Sequence, residues 1–361
     1  MKTLKLFSLA LLICAALVTA QVRDPLPVPD IPGYKTLKCD FHMHTVFSDG
    51  DIWPTLRISE AWRDGLDAIA LTDHADYRRH EADLKADATR PHALALPLAE
   101  RLGLILIPGI EISEGDIHCN ALFVTDPTAL RGLKLHEALQ KARAQDAFAF
   151  WNHPGWKQKP EWFPLIAAAY DEKLIQGMEL VNGNTFYTDA YAWIEEKKLA
   201  ILSNSDVHGL ATTRNRPITL VFAPTADAAG VREALFARRS AAWMGGEVWG
   251  AQSQLQALWQ GAVRVQNPQL TSRPSQRGLV VRLRNTSAIP FRIRVRQSPP
   301  WVRASGGELR PESILGIPLN IAKDAPAGLN RVSLELEITN VHTGPDRNLV
   351  VRLPLRIEVA P

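Results

Sequence analysis

The chain has few cysteines, no strong excess of charge of one sign and, after its first twenty residues, no long apolar run. With only three cysteines, a Cys-rich zinc site is excluded. A formal net charge of +3 over 361 residues gives no reason to expect a nucleic-acid partner. The patterns GxSxG and GxxxxGK followed by Ser or Thr are both absent, which argues against a serine hydrolase and a P-loop. Charged residues make up 22% of the chain and apolar residues 46%, so the sequence predicts a folded protein.

The N-terminal segment predicts export. Lys2 and Lys5 precede an unbroken run of apolar or small residues, Leu6 to Val18, and Ala20 ends a small-residue cleavage site. Such a run is typical of a secretory signal and is short for a membrane span. We therefore expect a signal peptide over residues 1–20 and a periplasmic or secreted protein without stable membrane insertion. An uncleaved N-terminal anchor is the alternative.

Two cysteines remain after removal of residues 1–20, Cys39 and Cys119. Both lie on predicted strands beside the motifs described below. An oxidising compartment permits a disulfide between them. Two buried free thiols are the favoured alternative.

The body of the chain alternates strand-like and helix-like segments. Residues 21–33 are Pro-rich and predict an extended lead-in. From Cys39 onward, seven apolar runs end in polar residues, and helices are predicted between them, such as Pro54–Asp64 and Thr188–Lys198. This alternation favours a parallel sheet, and seven units in about 220 residues favour a closed barrel with its chemistry at the C-terminal ends of the strands. The barrel is predicted over residues 34–257.

Residues 258–361 have a different pattern. The segments GLVVRLRN and FRIRVRQ alternate apolar residues with Arg at a period of two, and turns rich in Pro, Gly and Asn separate such segments. This pattern predicts an antiparallel, Ig-like β-sandwich with no helix and no catalytic cluster. The expected fold class is therefore α/β, with a C-terminal β-sandwich domain.

The segment DFHMHTVFSDG carries the first chemical signal. His42 and His44 lie two residues apart on a predicted strand, so both imidazoles face the same side and are able to chelate one metal ion. Asp49 follows in a Ser-Asp-Gly turn that returns a carboxylate to the same place.

Other predicted strands also carry ligand-type residues at one end. The strands end in His74 in LTDH, Glu111 in PGIEIS, His153 in WNHPGW, and Asp206 and His208 in SNSDVH, whereas His118 opens the strand HCNALFVT. Burying so many ionisable groups at one rim is costly without a cation to pair with them. A mixed His and carboxylate site without thiolate suits Mn, Zn or Fe. The sequence therefore predicts a centre of divalent metal ions.

Taken in order, these motifs resemble the motif series of the polymerase and histidinol phosphatase family, the PHP family, over roughly residues 36–250. The resemblance implies a distorted (β/α)7 barrel that binds two or three divalent ions. It assigns one ion to His42, His44, Glu111 and Asp206. It assigns a second ion, bridged by Glu111, to His118 and His153, and a third to Asp49, His74 and His208.

The resemblance also implies the activity. An exported chain with a C-terminal β-domain is similar to the family's phosphodiesterase branch, in which a hydroxide bridged by metals attacks a phosphoester. Glu111, Asp206 and His208 are the expected catalytic residues. A phosphomonoesterase acting on small phosphorylated metabolites is one alternative, and a non-catalytic metal-binding envelope protein is another.

Substrate contacts are predicted on loops that follow the ligand motifs. Tyr77 and Arg78 follow His74, and Arg216 follows His208; an Arg there is able to bind phosphate oxygens in a fork. Trp151 and Trp156 flank His153 and are candidates for the wall of a leaving-group pocket. The expected partner is a small phosphoester, and the oligomeric state stays open.

Overall fold

A computed structural model describes residues 22–85, 87–157, 159–211 and 216–361 of the protein. The predicted signal peptide, residues 1–20, lies outside the described residues. None of the helices within the described ranges combines the length and the apolar character that crossing a membrane requires.

The described residues form seven α-helices and twenty strands. The helices are α1 (Pro54–Arg63), α2 (Arg90–Leu102), α3 (Leu135–Ala144), α4 (Pro164–Asp171), α5 (Thr188–Lys197), α6 (Ala228–Phe236) and α7 (Gln252–Ala262). The strands of the N-terminal part are β1 (Lys35–Asp40), β2 (Ala68–Leu71), β3 (Ile105–Glu114), β4 (Ile117–Leu122), β5 (Phe148–Trp151), β6 (Gly177–Asn182), β7 (Thr185–Phe186), β8 (Ala200–Asn204), β9 (Ile218–Ala223), β10 (Ser240–Met244) and β11 (Glu247–Gly250). The remaining strands are β12 (Val263–Val265), β13 (Gln269–Ser272), β14 (Gly278–Asn285), β15 (Phe291–Gln297), β16 (Val302–Ala304), β17 (Gly307–Leu309), β18 (Ile314–Ile321), β19 (Gly328–Gly344) and β20 (Arg347–Val359).

The N-terminal strands form one mixed sheet in the order β11-β10-β9-β1-β2-β3-β4-β5-β6, with β8 paired to β6. Pairs β1–β2, β2–β3, β5–β6 and β6–β8 are parallel, whereas β3–β4 and β4–β5 are antiparallel. Strand β8 contacts β9 through side chains: Ser203 N donates to Thr219 Oγ1, and Thr219 Oγ1 donates to Ser203 O, both at 2.9 Å. Among the described residues no backbone ladder joins β8 to β9. The mixed α/β class is confirmed, while a closed barrel stays a prediction.

The C-terminal strands form two layers. Strands β12-β14-β18-β16 make a separate antiparallel sheet, whereas β13, β20, β19, β15 and β17 extend the N-terminal sheet through β11. Along β14 the residues alternate between exposed and buried, so that Leu279, Val281 and Leu283 point inward. The β11–β19 and β13–β20 pairs are parallel, which the antiparallel prediction did not include.

The predicted absence of a helix after residue 257 is wrong for a short stretch. Helix α7 runs to Ala262, because Leu258, Trp259 and Ala262 continue its buried face. Trp259 packs edge-on against Phe291 with ring centroids 5.0 Å apart. One buried apolar cluster contains side chains from both parts of the chain, including Trp243 and Leu349. The two parts therefore share a core.

Both cysteines of the described residues are buried and free, Cys39 on β1 and Cys119 on β4. The favoured alternative of two free thiols is therefore observed. Burial raises the pKa of both thiols, which keeps them protonated and unreactive.

Candidate metal centre

The paired histidines lie where β1 ends. His42 and His44 are fully buried, and their Nε2 atoms are 3.1 Å apart. Each Nε2 lies 3.2 Å from Oε2 of Glu111. Oδ1 of Asp206 is 3.2 Å from Nε2 of His42 and 3.1 Å from Nε2 of His44. Four candidate ligand atoms therefore face one another at the end of this strand.

Glu111 on β3 is the centre of the cluster and is 1% exposed. Nitrogens of five imidazoles lie within 3.6 Å of its carboxylate oxygens, those of His42, His44, His74, His118 and His153. Its Oε1 accepts hydrogen bonds from Nδ1 of His118 at 2.9 Å and from Nδ2 of Asn152 at 2.8 Å. Its Oε2 faces the opposite side, toward the paired histidines. A carboxylate with ligand groups on both sides has the geometry of a bridging ligand.

The Ser-Asp-Gly turn brings Asp49 to a third side of the cluster. Its Oδ2 is 3.5 Å from Nε2 of His74 and 3.2 Å from Nε2 of His208, and its Oδ1 is 3.4 Å from Nδ1 of His44. Gly50 is required in this turn, because a Cβ there would lie 2.7 Å from the carbonyl carbon of His44. His208 also stacks on His44, with ring centroids 4.2 Å apart.

All nine predicted ligands lie in this one cluster, in four overlapping groups whose ligand atoms are within 4.8 Å of one another. The groups are His44, Asp49, His74 and His208; His42, His44 and Asp206; His42, Glu111 and His153; and His74, Glu111 and His118. His118 and His153, predicted to share one ion, fall into different groups, and His44 belongs to two. The assignment of ligands to individual ions therefore stays a prediction.

The pKa values of the buried histidines and carboxylates are shifted more by their pairing with one another than by burial. Burial opposes protonation of His44, yet the neighbouring carboxylates of Asp206 and Glu111 raise its pKa to about 10. The same carboxylates raise the pKa of His42 well above its ordinary value despite burial. Burial acts to raise the pKa of Glu111, but the neighbouring histidines, His42 first, hold it well below the usual range. Protons thus balance the carboxylates in the metal-free protein, and cations compete with those protons.

The donor set fits divalent cations. Asp206 Oδ1, His74 Nδ1 and His153 Nδ1 are buried without a hydrogen-bond partner, although such atoms are normally paired. His153 and Asp206 also have positive φ values, 30° and 50°, a strained backbone that is concentrated at functional sites. Imidazole and carboxylate ligands without a thiolate suit Mn, Zn or Fe.

Residues next to the ligands orient them. Asp40 Oδ1 accepts hydrogen bonds from the backbone N–H groups of His42 and Ser205, at 3.3 and 3.1 Å. Asp73 accepts a hydrogen bond from Ser48 Oγ at 2.7 Å, and Ser48 Oγ lies 3.3 Å from Nδ1 of His44. In the sequence, Asp40, Asp73 and Asn152 each lie within two residues of a ligand, a position from which a side chain is able to orient it.

Sequence reasoning missed two buried charged residues, Glu179 and Arg57. Glu179 lies in the middle of the otherwise apolar strand β6, and a lone carboxylate in such a strand was the signal available in GMELVNGN. Arg57 on α1 donates from Nε to the carbonyl of His44 at 2.8 Å and from Nη2 to that of His208 at 2.6 Å. It thereby ties two ligand loops together.

The predicted substrate residues are in contrasting environments. Tyr77 is 57% exposed and its ring contacts His74. Arg78 follows Tyr77, is partly buried and forms an ion pair with the exposed Glu81 at 3.7 Å. Arg216 is buried and holds Asp40 at 2.9 Å and Asp64 at 2.8 Å. The prediction that Arg216 contacts substrate is therefore not supported, because both carboxylates already bind its guanidinium group.

The two tryptophans beside His153 also differ. Trp151 is 1% exposed and stacks on Trp193 in the core. Trp156 is 37% exposed, and its ring lies 5.1 Å from that of His118 and 5.2 Å from that of His153. Gly155, at φ 108°, allows the tight turn in which Trp156 N donates to His153 O. Only Trp156 reaches the rim of the site.

Comparison with known proteins identifies the family. No family model matches the chain. A two-domain protein from Bacteroides vulgatus ATCC 8482, containing a predicted PHP-like metal-dependent phosphoesterase, is 34% identical with a TM-score of 0.85, over 93% of this chain and 100% of that one. A protein from Bifidobacterium adolescentis ATCC 15703, assigned as a metal-dependent phosphoesterase, is 15% identical with a TM-score of 0.42, over 55% of this chain and 96% of that one.

A curated relative is an uncharacterised protein of Methanocaldococcus jannaschii, 44% identical over 45 residues, which are 12% of this chain. The match spans 21% of that protein's length. The Bacteroides structure matches over both parts of the chain, at an identity that shows common ancestry. The chain belongs to the family of two-domain, PHP-like metal-dependent phosphoesterases.

Proposed function

We propose that the protein hydrolyses phosphodiesters in the periplasm or outside the cell, with two or three divalent ions at the nine-residue cluster. The observation that carries this proposal is the position of Glu111, buried between five imidazoles with one oxygen toward each side of the cluster. No other described part of the chain gathers histidines and carboxylates in this way.

Ions bound here would neutralise phosphate oxygens and lower the pKa of water near the phosphorus atom. The chain contributes the remaining steps. Glu111 and Asp206 supply the negative charge that retains the cations. Asp206 Oδ1 has no hydrogen-bond donor, so a lone pair is free for a cation or for the proton of water. The side chain of His208 is 39% exposed, and its Nδ1 donates to the carbonyl of Asp206, which turns Nε2 toward Asp49 and the entrance.

Surroundings of the site favour a diester over a monoester. Exposed rings of Tyr77 and Trp156 border the ligands and suit the second organic group of a diester. Because Arg216 is bound to Asp40 and Asp64, it does not add a positive charge for the dianion of a monoester. Arg78 remains as a cation at the rim.

A direct assay tests the activity. Residues 21–361 are expressed, reconstituted with Mn or Zn, and given bis(p-nitrophenyl) phosphate or p-nitrophenyl phosphate. We expect faster turnover of the diester. Faster turnover of p-nitrophenyl phosphate would establish the monoesterase instead, and a metal-loaded protein inactive on both esters would favour the non-catalytic metal-binding alternative.

Export is a proposal that rests on residues 1–20. Expression of the full chain in a bacterium, followed by fractionation and mass determination of the N-terminus, tests it. A chain beginning at Gln21 in the periplasm or medium is the expected result, and an intact chain in the membrane fraction would support the uncleaved anchor.

A further inference from the structure

Glu179 is a fully buried carboxylate that none of the four ligand groups includes. Its Oε1 accepts hydrogen bonds from Nδ1 of His42 and Nδ2 of Asn204, each at 2.9 Å. Its Oε2 accepts from the backbone N–H of His153 at 2.8 Å and from Nδ2 of Asn182 at 2.9 Å. One side chain on β6 thus contacts two ligands, His42 and His153, that are remote from each other in the chain.

We propose that Glu179 is a positioning residue that prepares His42 and His153 for metal binding at the same time, one with each carboxylate oxygen. The inference rests on the metal-binding part of the proposed function, and not on the identity of the ester.

Its action on His42 is through the ring. A neutral imidazole carries one N–H, and a carboxylate at Nδ1 keeps the proton there. Nε2 then presents its lone pair to the cluster, where Nε2 of His44 lies 3.1 Å away and Oε2 of Glu111 lies 3.2 Å away. Asn204 holds Glu179 in register, because its Oδ1 accepts from the backbone N–H of Phe41, next to His42.

Its action on His153 is through the backbone. His153 has a φ of 30° and precedes Pro154. Both features are unfavourable, since residues other than Gly rarely adopt positive φ and residues before Pro prefer extended backbone. The hydrogen bond from His153 N–H to Glu179 anchors this conformation, which directs the imidazole toward Glu111, 3.6 Å from its Oε1.

The consequence is selective. Two of the four groups contain His42 or His153, namely His42, His44 and Asp206, and His42, Glu111 and His153. The group of His44, Asp49, His74 and His208 contains neither His42 nor His153. Loss of the Glu179 charge should therefore weaken ions in the first groups and spare the ion beside Asp49. A residue that only stabilised the fold would affect all ions alike.

The variant Glu179→Gln tests this selectivity. Glutamine has nearly the volume of glutamate, but its NH2 group replaces one of the two oxygens, each of which accepts from two donors, so two hydrogen bonds are lost in either orientation of the amide. Mn or Zn binding is measured by chelator competition on the whole mature chain. Mutation of a carboxylate that is hydrogen-bonded to a metal ligand typically lowers the metal affinity by about 10–100-fold. We expect that loss for the ions held by His42 and His153, and a change below about threefold for the remaining ion. Adding Asp49→Asn should then remove the remaining ion, whereas Asp49→Asn alone should spare the others.

Two further measurements complete the test. Glu337→Gln is the matched control, a buried carboxylate in the sandwich that accepts from Nδ2 of Asn348 at 2.8 Å, and it should leave all ions unchanged. Nitrogen NMR of the zinc-saturated protein should show a hydrogen-bonded Nδ1–H on His42 that moves in Glu179→Gln. If Glu179→Gln does not fold, Glu179→Asp replaces it in the test. Aspartate keeps the negative charge but is one methylene shorter, so its carboxylate lies farther from His42 and His153, and we expect the same selective loss of metal affinity.

Unchanged affinities with an unmoved His42 signal would overturn the proposal, as would equal weakening of every ion in Glu179→Gln. The wild-type protein separates this failure from that of the proposed function. Fewer than one bound ion per wild-type chain refutes metal binding itself, whereas a wild type with its full set of ions leaves only the role of Glu179 in question.

Discussion

Replacing Glu111 by Gln removes one charge from the centre of the cluster without changing its volume. The carboxylate is 1% exposed and lies within 3.6 Å of nitrogens from five histidines. Two unit charges about 4 Å apart interact by about 4 kcal/mol at an effective dielectric constant of 20. That energy corresponds to about a thousandfold change in a binding constant. Because Glu111 faces two sides of the cluster, Glu111→Gln should weaken at least two ions by roughly this factor.

The assay is metal content by mass spectrometry after dialysis against a weak chelator, together with turnover of bis(p-nitrophenyl) phosphate. Removal of one electrostatic catalytic group lowers turnover by about 10²–10³-fold, and we expect at least that loss. Glu114→Gln is the matched control, because Glu114 lies on the same strand but is exposed, and its Oε2 accepts a hydrogen bond from the backbone N–H of Leu135 at 3.0 Å. If Glu111→Gln retained its full metal content and turnover, Glu111 would not be a bridging ligand.

Three further predictions concern stability, scaffolding and substrate contact. The pKa of His44 in the folded protein, about 10, lies above the ordinary value of 6.5, so the stability that His44 contributes without metal is complete below pH 6.5 and is lost as pH rises toward 10. Urea unfolding of the protein after removal of metal by a chelator should show this decline in the free energy of unfolding. A flat profile over that pH range would contradict the pairing of His44 with the carboxylates. Arg57→Ala leaves Glu60 without its buried partner and should lower the free energy of unfolding by about 3–5 kcal/mol in the same assay, whereas a loss below 1 kcal/mol would show that solvent replaces the guanidinium. Trp156→Ala should raise KM for bis(p-nitrophenyl) phosphate by about 2–10-fold, because aromatic contact contributes about 0.5–1.5 kcal/mol beyond area burial. Trp53→Ala, at a similarly exposed tryptophan, should leave KM unchanged, and equal effects of the two variants would remove Trp156 from the substrate site.

Much of the architecture was predictable from periodicity. Strands that alternate with amphipathic helices indicated the α/β class, and the alternation of Leu279, Val281 and Leu283 with exposed residues indicated the sandwich. The helix expected over Thr188–Lys198 is α5, Thr188–Lys197. Helix α7 was missed beyond residue 257, because the predicted boundary fell inside it and cut its apolar face in two.

The amino-acid sequence by itself determined the chemistry of the site. His42 and His44 face one side because residues two apart on extended backbone must do so. Most of the remaining ligands were recognisable as polar residues at the end of an apolar run, whereas His118 opens such a run and Asp49 lies in a Ser-Asp-Gly turn. Which side chains meet across the cluster depends on distances between strands that are remote in sequence. Tertiary structure alone therefore decided that Glu179 contacts both His42 and His153, that two carboxylates bind Arg216, and that Trp156 rather than Trp151 reaches the rim. Spacing along a strand specifies the direction of a side chain, whereas its partner is specified only when separate strands are brought together by the packed core.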